Sequence, residues 1–122
     1  MTTPTIDAVY PTLPVWQDLR PYLVNGWEQR GQNVCAYKIT GNDLETVALL
    51  QIGNEPVIAE GLPSLTGGTR DIEATASQGG VSVPVRIYWG AGGSLVVRPG
   101  YWTRYLQDGS YSTLTFSWRG PR

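Results

Sequence analysis

Asp71 and Glu73 stand two residues apart, as do Asp43 and Glu45, and on an extended chain that spacing puts both carboxyls of each pair on one face. Two neighbouring carboxyls are the working pair of glycoside hydrolysis, one giving a proton and the other acting as base or nucleophile. They are also the one familiar catalytic route left open, because the chain has no His, one Cys (Cys35) and one Lys (Lys38). Without His there is no Ser-His-Asp or Cys-His relay, no His-ligated zinc and no imidazole switch. Ten acidic residues on alternating strands will nevertheless form such pairs by chance on outward faces, so no catalytic residue is expected. Cys35 has no partner for an internal disulfide, and no Asp-x-Asp-x-Asp-Gly loop offers a calcium site. The Gly runs at 67–68, 79–80 and 90–93 are not followed by Gly-Lys-Ser/Thr and open no helix, which makes them turns rather than phosphate cradles. Neither a cofactor nor a metal is expected.

Rings and guanidinium groups are the second chemical resource. Five Trp and seven Tyr accompany a single Phe. Such rings bury well at interfaces, and an exposed face stacks on a sugar ring. Trp16, Trp27, Trp89 and Trp118 fall on apolar faces or beside turns and read as core or subunit contact. Tyr88 shares a polar strand face with Arg86, and Tyr101-Trp102-Thr103-Arg104-Tyr105 mixes rings with a guanidinium in a way a closed core would not use. Arg86, Tyr88, Tyr101, Trp102, Arg104 and Tyr105 are therefore the candidate saccharide-binding surface, with packing between subunits as the competing reading.

Short strands must position these groups. The chain has 122 residues, enough for one domain with its own core, and its 15 Gly and 9 Pro argue against long helices. Residues 33–40 and 44–52 alternate around Gly41-Asn42-Asp43 and read as a hairpin; the second run is partly apolar on both faces, as in a central strand or a subunit contact. Val57 to Ala59 is a short strand, and Asp71 to Ala76 turns Ile72, Ala74 and Ala76 inward. The clearest alternation runs from Val81 to Trp89, and Pro84, which cannot donate a ladder hydrogen bond, places that strand at a sheet edge or a bulge. A strand over residues 94–98 follows. A last hairpin is expected, Tyr101 to Leu106 returning through Asp108-Gly109 into Ser112 to Trp118. This strand spacing fits a sandwich or a barrel.

Residues 1–15 carry Pro4, Pro11 and Pro14 and read as an extended arm, while Ile6, Val9, Tyr10 and Leu13 make it more apolar than a solvated linker needs. Residues 16–122 are the single β-domain. A net charge of −1 supplies no attraction for nucleic acid. No basic-then-apolar leader and no apolar run of membrane length is visible, so neither secretion nor membrane insertion is expected.

The order of motifs resembles a known family. Trp16-x-x-Leu19, Asn25-Gly26-Trp27, the Tyr37 strand, Val47-x-Leu49 running to a Gly, Gly61-Leu62-Pro63 with Arg70 downstream, Val85-x-Ile87 and Leu95-Val96-Val97 follow one another as in the small β-domains of tailed-bacteriophage fibres and receptor-binding proteins. Trp102, Tyr105-Leu106, Gly109 and Tyr111 are similar to that family's closing motif. The chain departs from the pattern at Asp71, where the family has Pro, in one extra residue between Trp102 and Gly109, and in continuing to Trp118. The resemblance implies an all-β, jelly-roll-like β-sandwich that forms a homotrimer, and it transfers no active-site residue. It further implies a virion protein of the tail tip, baseplate or fibre, made in the bacterial host cytoplasm. Its partners would be host-envelope saccharide and, through the N-terminal arm, other phage tail or virion proteins. Two alternatives stand beside it: an architectural virion part without ligand, such as a capsid decoration or baseplate component, and a carbohydrate-binding module.

Overall fold

The computed structural model describes residues 15–31 and 34–122, so the expected arm lies outside the described residues except for Val15. The strands are β1 (Gln17–Asp18), β2 (Glu28–Gln29), β3 (Cys35–Thr40), β4 (Asp43–Gln51), β5 (Val57–Ala59), β6 (Arg70–Gln78), β7 (Val81–Trp89), β8 (Leu95–Val97) and β9 (Thr113–Pro121). All pair antiparallel in one sheet of order β1-β3-β4-β9-β6-β7-β8-β5, with β2 beside β4. The all-β expectation holds.

That sheet is strongly curled, because its middle is nearly cut. β9 pairs with β4 over all nine of its residues but with β6 only at Thr113, Leu114 and Thr115. The Ser77 and Thr113 hydroxyls lie 3.0 Å apart and pin this corner. Beyond it β9 follows β4 while β6 follows β7, and the two strands diverge. At the far end Arg70 spans the wedge, donating from Nε to the Pro121 carbonyl at 2.9 Å and from Nη1 to that of Gly67 at 3.0 Å. The outermost strands are tied together on the other side. Leu23, shortly after β1, bridges to Ala59 of β5, and Val24 N–H donates to the Ile58 carbonyl at 2.9 Å.

Curling brings distant strands face to face, and the core fills the space between them. Leu44, Thr46, Ala48 and Leu50 of β4 point inward, opposite Ile72, Ala74 and Ala76 of β6 and Val85, Ile87 and Trp89 of β7. The Tyr37 ring of β3 meets Trp89 edge-on at 5.8 Å, and Tyr22 meets Tyr37 at 6.1 Å. Buried Thr46 is satisfied by donating to the Ala36 carbonyl at 3.1 Å. β4 is central, as its two-faced pattern predicts. Among the described residues β7 has a strand on both flanks only at Ile87–Trp89, where β8 pairs, and none of them pairs with its second flank over Pro84, in keeping with the missing N–H.

One expected element is different. Residues 101–106 form no hairpin strand; Pro99–Tyr101 starts a helix that Trp102–Leu106 continues with wide turns, Gln107 N–H reaching the Trp102 carbonyl at 2.8 Å. Pro99 sits in the first turn, where its fixed φ suits a helix and no N–H is needed. Burial falls on Trp102 and Leu106, four apart, which is a helical stripe and not an alternation. β9 takes its partners from β4 and β6 instead. A smaller correction concerns the start of β7, where Val81 projects into solvent and only Val85, Ile87 and Trp89 of its apolar face are buried.

Candidate functional site

The outward side chains of β6 and β7 are set by their register. Asp71 lies opposite Tyr88, Glu73 opposite Arg86, and Thr75 opposite Pro84. The Gly90–Gly93 turn then leads into β8 so that Arg98 falls beside Arg86, its N–H donating to the Arg86 carbonyl at 3.0 Å. From there the Arg98 guanidinium covers the Tyr88 ring at 4.5 Å and donates from Nε to Asp71 Oδ1 at 2.9 Å. Arg86 and Glu73 approach to 3.7 Å, with side chains 51% and 86% exposed, so both keep much of their hydrogen-bonding capacity for a ligand.

A groove of about 660 Å³ begins on this face where β6 and β9 part. Glu73, Thr75, Pro84, Arg86, Tyr101 and Ser117 line it. Tyr101 stacks on Tyr105 at 6.3 Å, with ring planes 27° apart, and Arg104 lies 5.3 Å over Tyr105. Arg86, Tyr88 and Tyr101 are therefore drawn toward one face, with Tyr105 and Arg104 continuing from Tyr101. Trp102 is the exception. It is 8% exposed and packs against Trp27 at 6.4 Å, which removes it from the candidate surface. The helix turns it inward at the step that leaves Tyr101 at the groove. Trp16, expected in the core or at a contact, is 44% exposed and lies over Lys38 at 4.7 Å.

Three members were not singled out for this surface in the sequence, Arg98, Asp71 and Glu73. The signal for Arg98 was the β7-β8 turn, whose register carries Arg98 back to Arg86. Asp71 and Glu73 were weighed as a pair of acids. A general acid at neutral pH must be held protonated by burial or by a like charge. Each paired carboxylate faces a cation instead: Asp71 meets Arg98, Glu73 meets Arg86, and Asp43 and Glu45 meet Arg119 at 3.6 and 3.3 Å. Among the described residues no cluster of three or more His, Cys, Asp or Glu is placed to hold a metal ion.

The shifted titrations lie away from the groove. The Arg20 side chain, hydrogen-bonded to Asp18, holds that carboxyl below its usual range, and Ser110 does the same for Asp108. Burial pushes the Cys35 thiol up to about 11, and burial followed by the neighbouring Tyr22 hydroxyl raises Tyr37 to about 12.

What the face offers is a pair of carboxylates to accept hydroxyl protons, two guanidinium groups to donate, and tyrosine rings to stack. Comparison with protein families, with curated proteins and with solved structures gives no match for this chain. No helix among the described residues is long and apolar enough to cross a membrane.

Proposed function

We propose that this chain is a virion structural protein of a tailed phage, from the tail tip, baseplate or fibre, that assembles as a homotrimer and binds saccharide of the host envelope. The observation that carries the binding half is the groove bordered by Glu73, Arg86 and Tyr101, on the strand face that also carries Tyr88 under the Arg98 guanidinium. A pyranose needs both hydrogen-bond acceptors and donors for its hydroxyls and a flat apolar surface for its ring, and this face supplies them side by side. The groove is open and its contacts are few, so each copy binds weakly and repetition in a particle supplies avidity. The phage context rests on the order of motifs along residues 16–111.

Arg86→Ala and Tyr101→Ala test the reading in a binding assay against immobilised bacterial lipopolysaccharide, capsule and teichoic acid preparations. Capture of the parent chain by one of them, reduced at least tenfold in both variants with the oligomer intact, is expected. Equal capture of parent and variants overturns this surface as the site.

The architectural reading, a virion part without ligand, also has an observation in its favour. Val34 is 60% exposed, and beside it Ala36, Val47 and Leu49 are half-buried on the outer side of β3 and β4, a small apolar patch bordered by Lys38, Asp43 and Glu45. Failure of every preparation to bind, with assembly preserved, favours it.

A further inference from the structure

The parting of β6 and β9 leaves backbone groups without a strand to meet. In an antiparallel ladder the N–H and C=O of one residue point to the same side, and those of the next residue to the other. Leu49 N–H bonds to the Val34 carbonyl on the β3 side, so Ala48 and Leu50 turn toward β9 and are met there by Phe116 and Leu114. Thr115, Ser117 and Arg119 therefore turn their backbone groups toward β6. On the other strand, Arg98 N–H bonds to the Arg86 carbonyl, so Ile87 and its partner Ile72 face each other, and Asp71, Glu73 and Thr75 turn theirs toward β9. The two sets meet at Thr75 and Thr115, where the ladder stops. Past that point Glu73 looks across the wedge to Ser117, and Asp71 to Arg119. Among the described residues no strand pairs with any of the four on this side, and backbone donors and acceptors withdrawn from water need partners.

The wedge belongs to the groove. Glu73, Ala74 and Thr75 line one bank, and Thr115, Phe116 and Ser117 the other. Ala74 and Phe116 are buried residues of the inward faces, so the groove reaches between the strands and does not merely lie over them. Both ends of the wedge are closed, one by the Ser77 and Thr113 hydroxyls 3.0 Å apart, the other by Arg70 Nε on the Pro121 carbonyl at 2.9 Å. A through-running peptide strand has to enter and leave along its own axis, which these ends obstruct. An amide hanging from a ring above the wedge meets no such obstacle.

We infer that the wedge takes the acetamido group of an N-acetylated amino sugar, an inference that rests on the saccharide reading above and narrows its ligand class. A trans secondary amide is planar, with N–H and C=O pointing in opposite directions. Between two walls that each present N–H and C=O it donates to one and accepts from the other, Glu73 on one side and Ser117 on the other, as a peptide unit does inside a sheet. The pyranose that carries it lies over the groove, where Tyr101 offers a ring face and the Arg86 and Glu73 side chains take the remaining hydroxyls. A hydroxyl in place of the acetamido group is shorter and reaches one wall only.

The test titrates the isotope-labelled full-length chain with triacetylchitotriose and, separately, with cellotriose, which has the same ring linkage and a hydroxyl in place of each acetamido group. The acetylated trimer is expected to bind about tenfold more tightly or better, the weight of two modest hydrogen bonds, and to move the backbone amide signals of Glu73 and Ser117 downfield. Ser117→Pro, which removes one N–H facing the wedge at a residue with an exposed side chain, should abolish the preference; if that variant does not fold, the two amide signals of the parent decide alone. Equal affinity for the two trimers, or a preference that leaves both amides unmoved, overturns the inference and leaves the saccharide reading standing. So does failure of both trimers while an envelope preparation still captures the chain through Arg86 and Tyr101. Movement of these amides by acetyl-trialanine amide but not by triacetylchitotriose assigns the wedge to a peptide strand and overturns the inference as well. If neither trimer and no preparation binds, the saccharide reading falls, and this inference with it.

Discussion

Trp102 and Tyr105 sit three positions apart in a ring-rich run, and their burial separates what the residue types alone do not. Trp102 fills space against Trp27 inside the core, whereas Tyr105 is half-buried on Tyr101. Trp102→Ala is expected to lower stability by about 3–5 kcal/mol, the usual cost of emptying a large aromatic site, and Tyr105→Ala by about 1 kcal/mol or less. Urea unfolding checks the difference, which should appear as a large shift of midpoint for the first and a small one for the second. Arg86 and Tyr88 were legible because strand alternation assigns them to the outward face directly. Trp102 was not, since its direction depends on a helix. Cys35 yields a second expectation. Its thiol stays protonated in the fold up to about 11 but ionises from about 9 when unfolded, so ionisation favours the unfolded chain. Stability is therefore fully present below pH 9 and falls as pH rises toward 11. Cys35→Ala should flatten that decline in unfolding midpoints measured from pH 8 to 11, leaving the part due to Tyr37 at the upper end.

Among the elements, the strands with long clean alternation, β4, β6 and β7, were readable because each is half-buried along its length. The helix at Pro99–Leu106 was overlooked because its apolar stripe covers only two turns, which a short alternating run imitates. The near-cut between β6 and β9 could not be read from sequence at all. It depends on pairing between strands far apart in the chain and on the Arg70 side chain reaching the Pro121 carbonyl. Turns carry their own constraint. Gly93 has a φ of +92°, and a Cβ there would overlap the Leu62 carbonyl, whose own N–H donates to Gly93 at 2.9 Å. Gly41 also has positive φ, at +59°, but open space around it. Gly93→Ala should thus cost at least about 2 kcal/mol, and Gly41→Ala about 1 kcal/mol from backbone strain alone, as read by chemical denaturation. Equal costs would show that the tight approach of Leu62 to Gly93 is not what holds that turn.

At the scale of the molecule, the sheet presents two unlike outer surfaces. β3 and β4 offer a small apolar patch of Ala36, Val47 and Leu49 bordered by ion pairs, and β6, β7 and the following helix offer charge, guanidinium groups and tyrosine rings beside a groove. A missing His and a near-neutral charge narrowed the chemistry from composition alone, but only the register of β6, β7 and β8 shows which carboxylates meet which arginines. In the proposed function it is the β6-β7 face that serves recognition. The most direct test is an isotope-edited NMR titration of the full-length chain with oligosaccharide fragments of the envelope preparation that captures it. Chemical-shift changes concentrated at Glu73, Arg86, Tyr88, Arg98 and Tyr101 are predicted. Saturating shifts centred on the β3-β4 face, or on no residue of β6 and β7, would contradict the account.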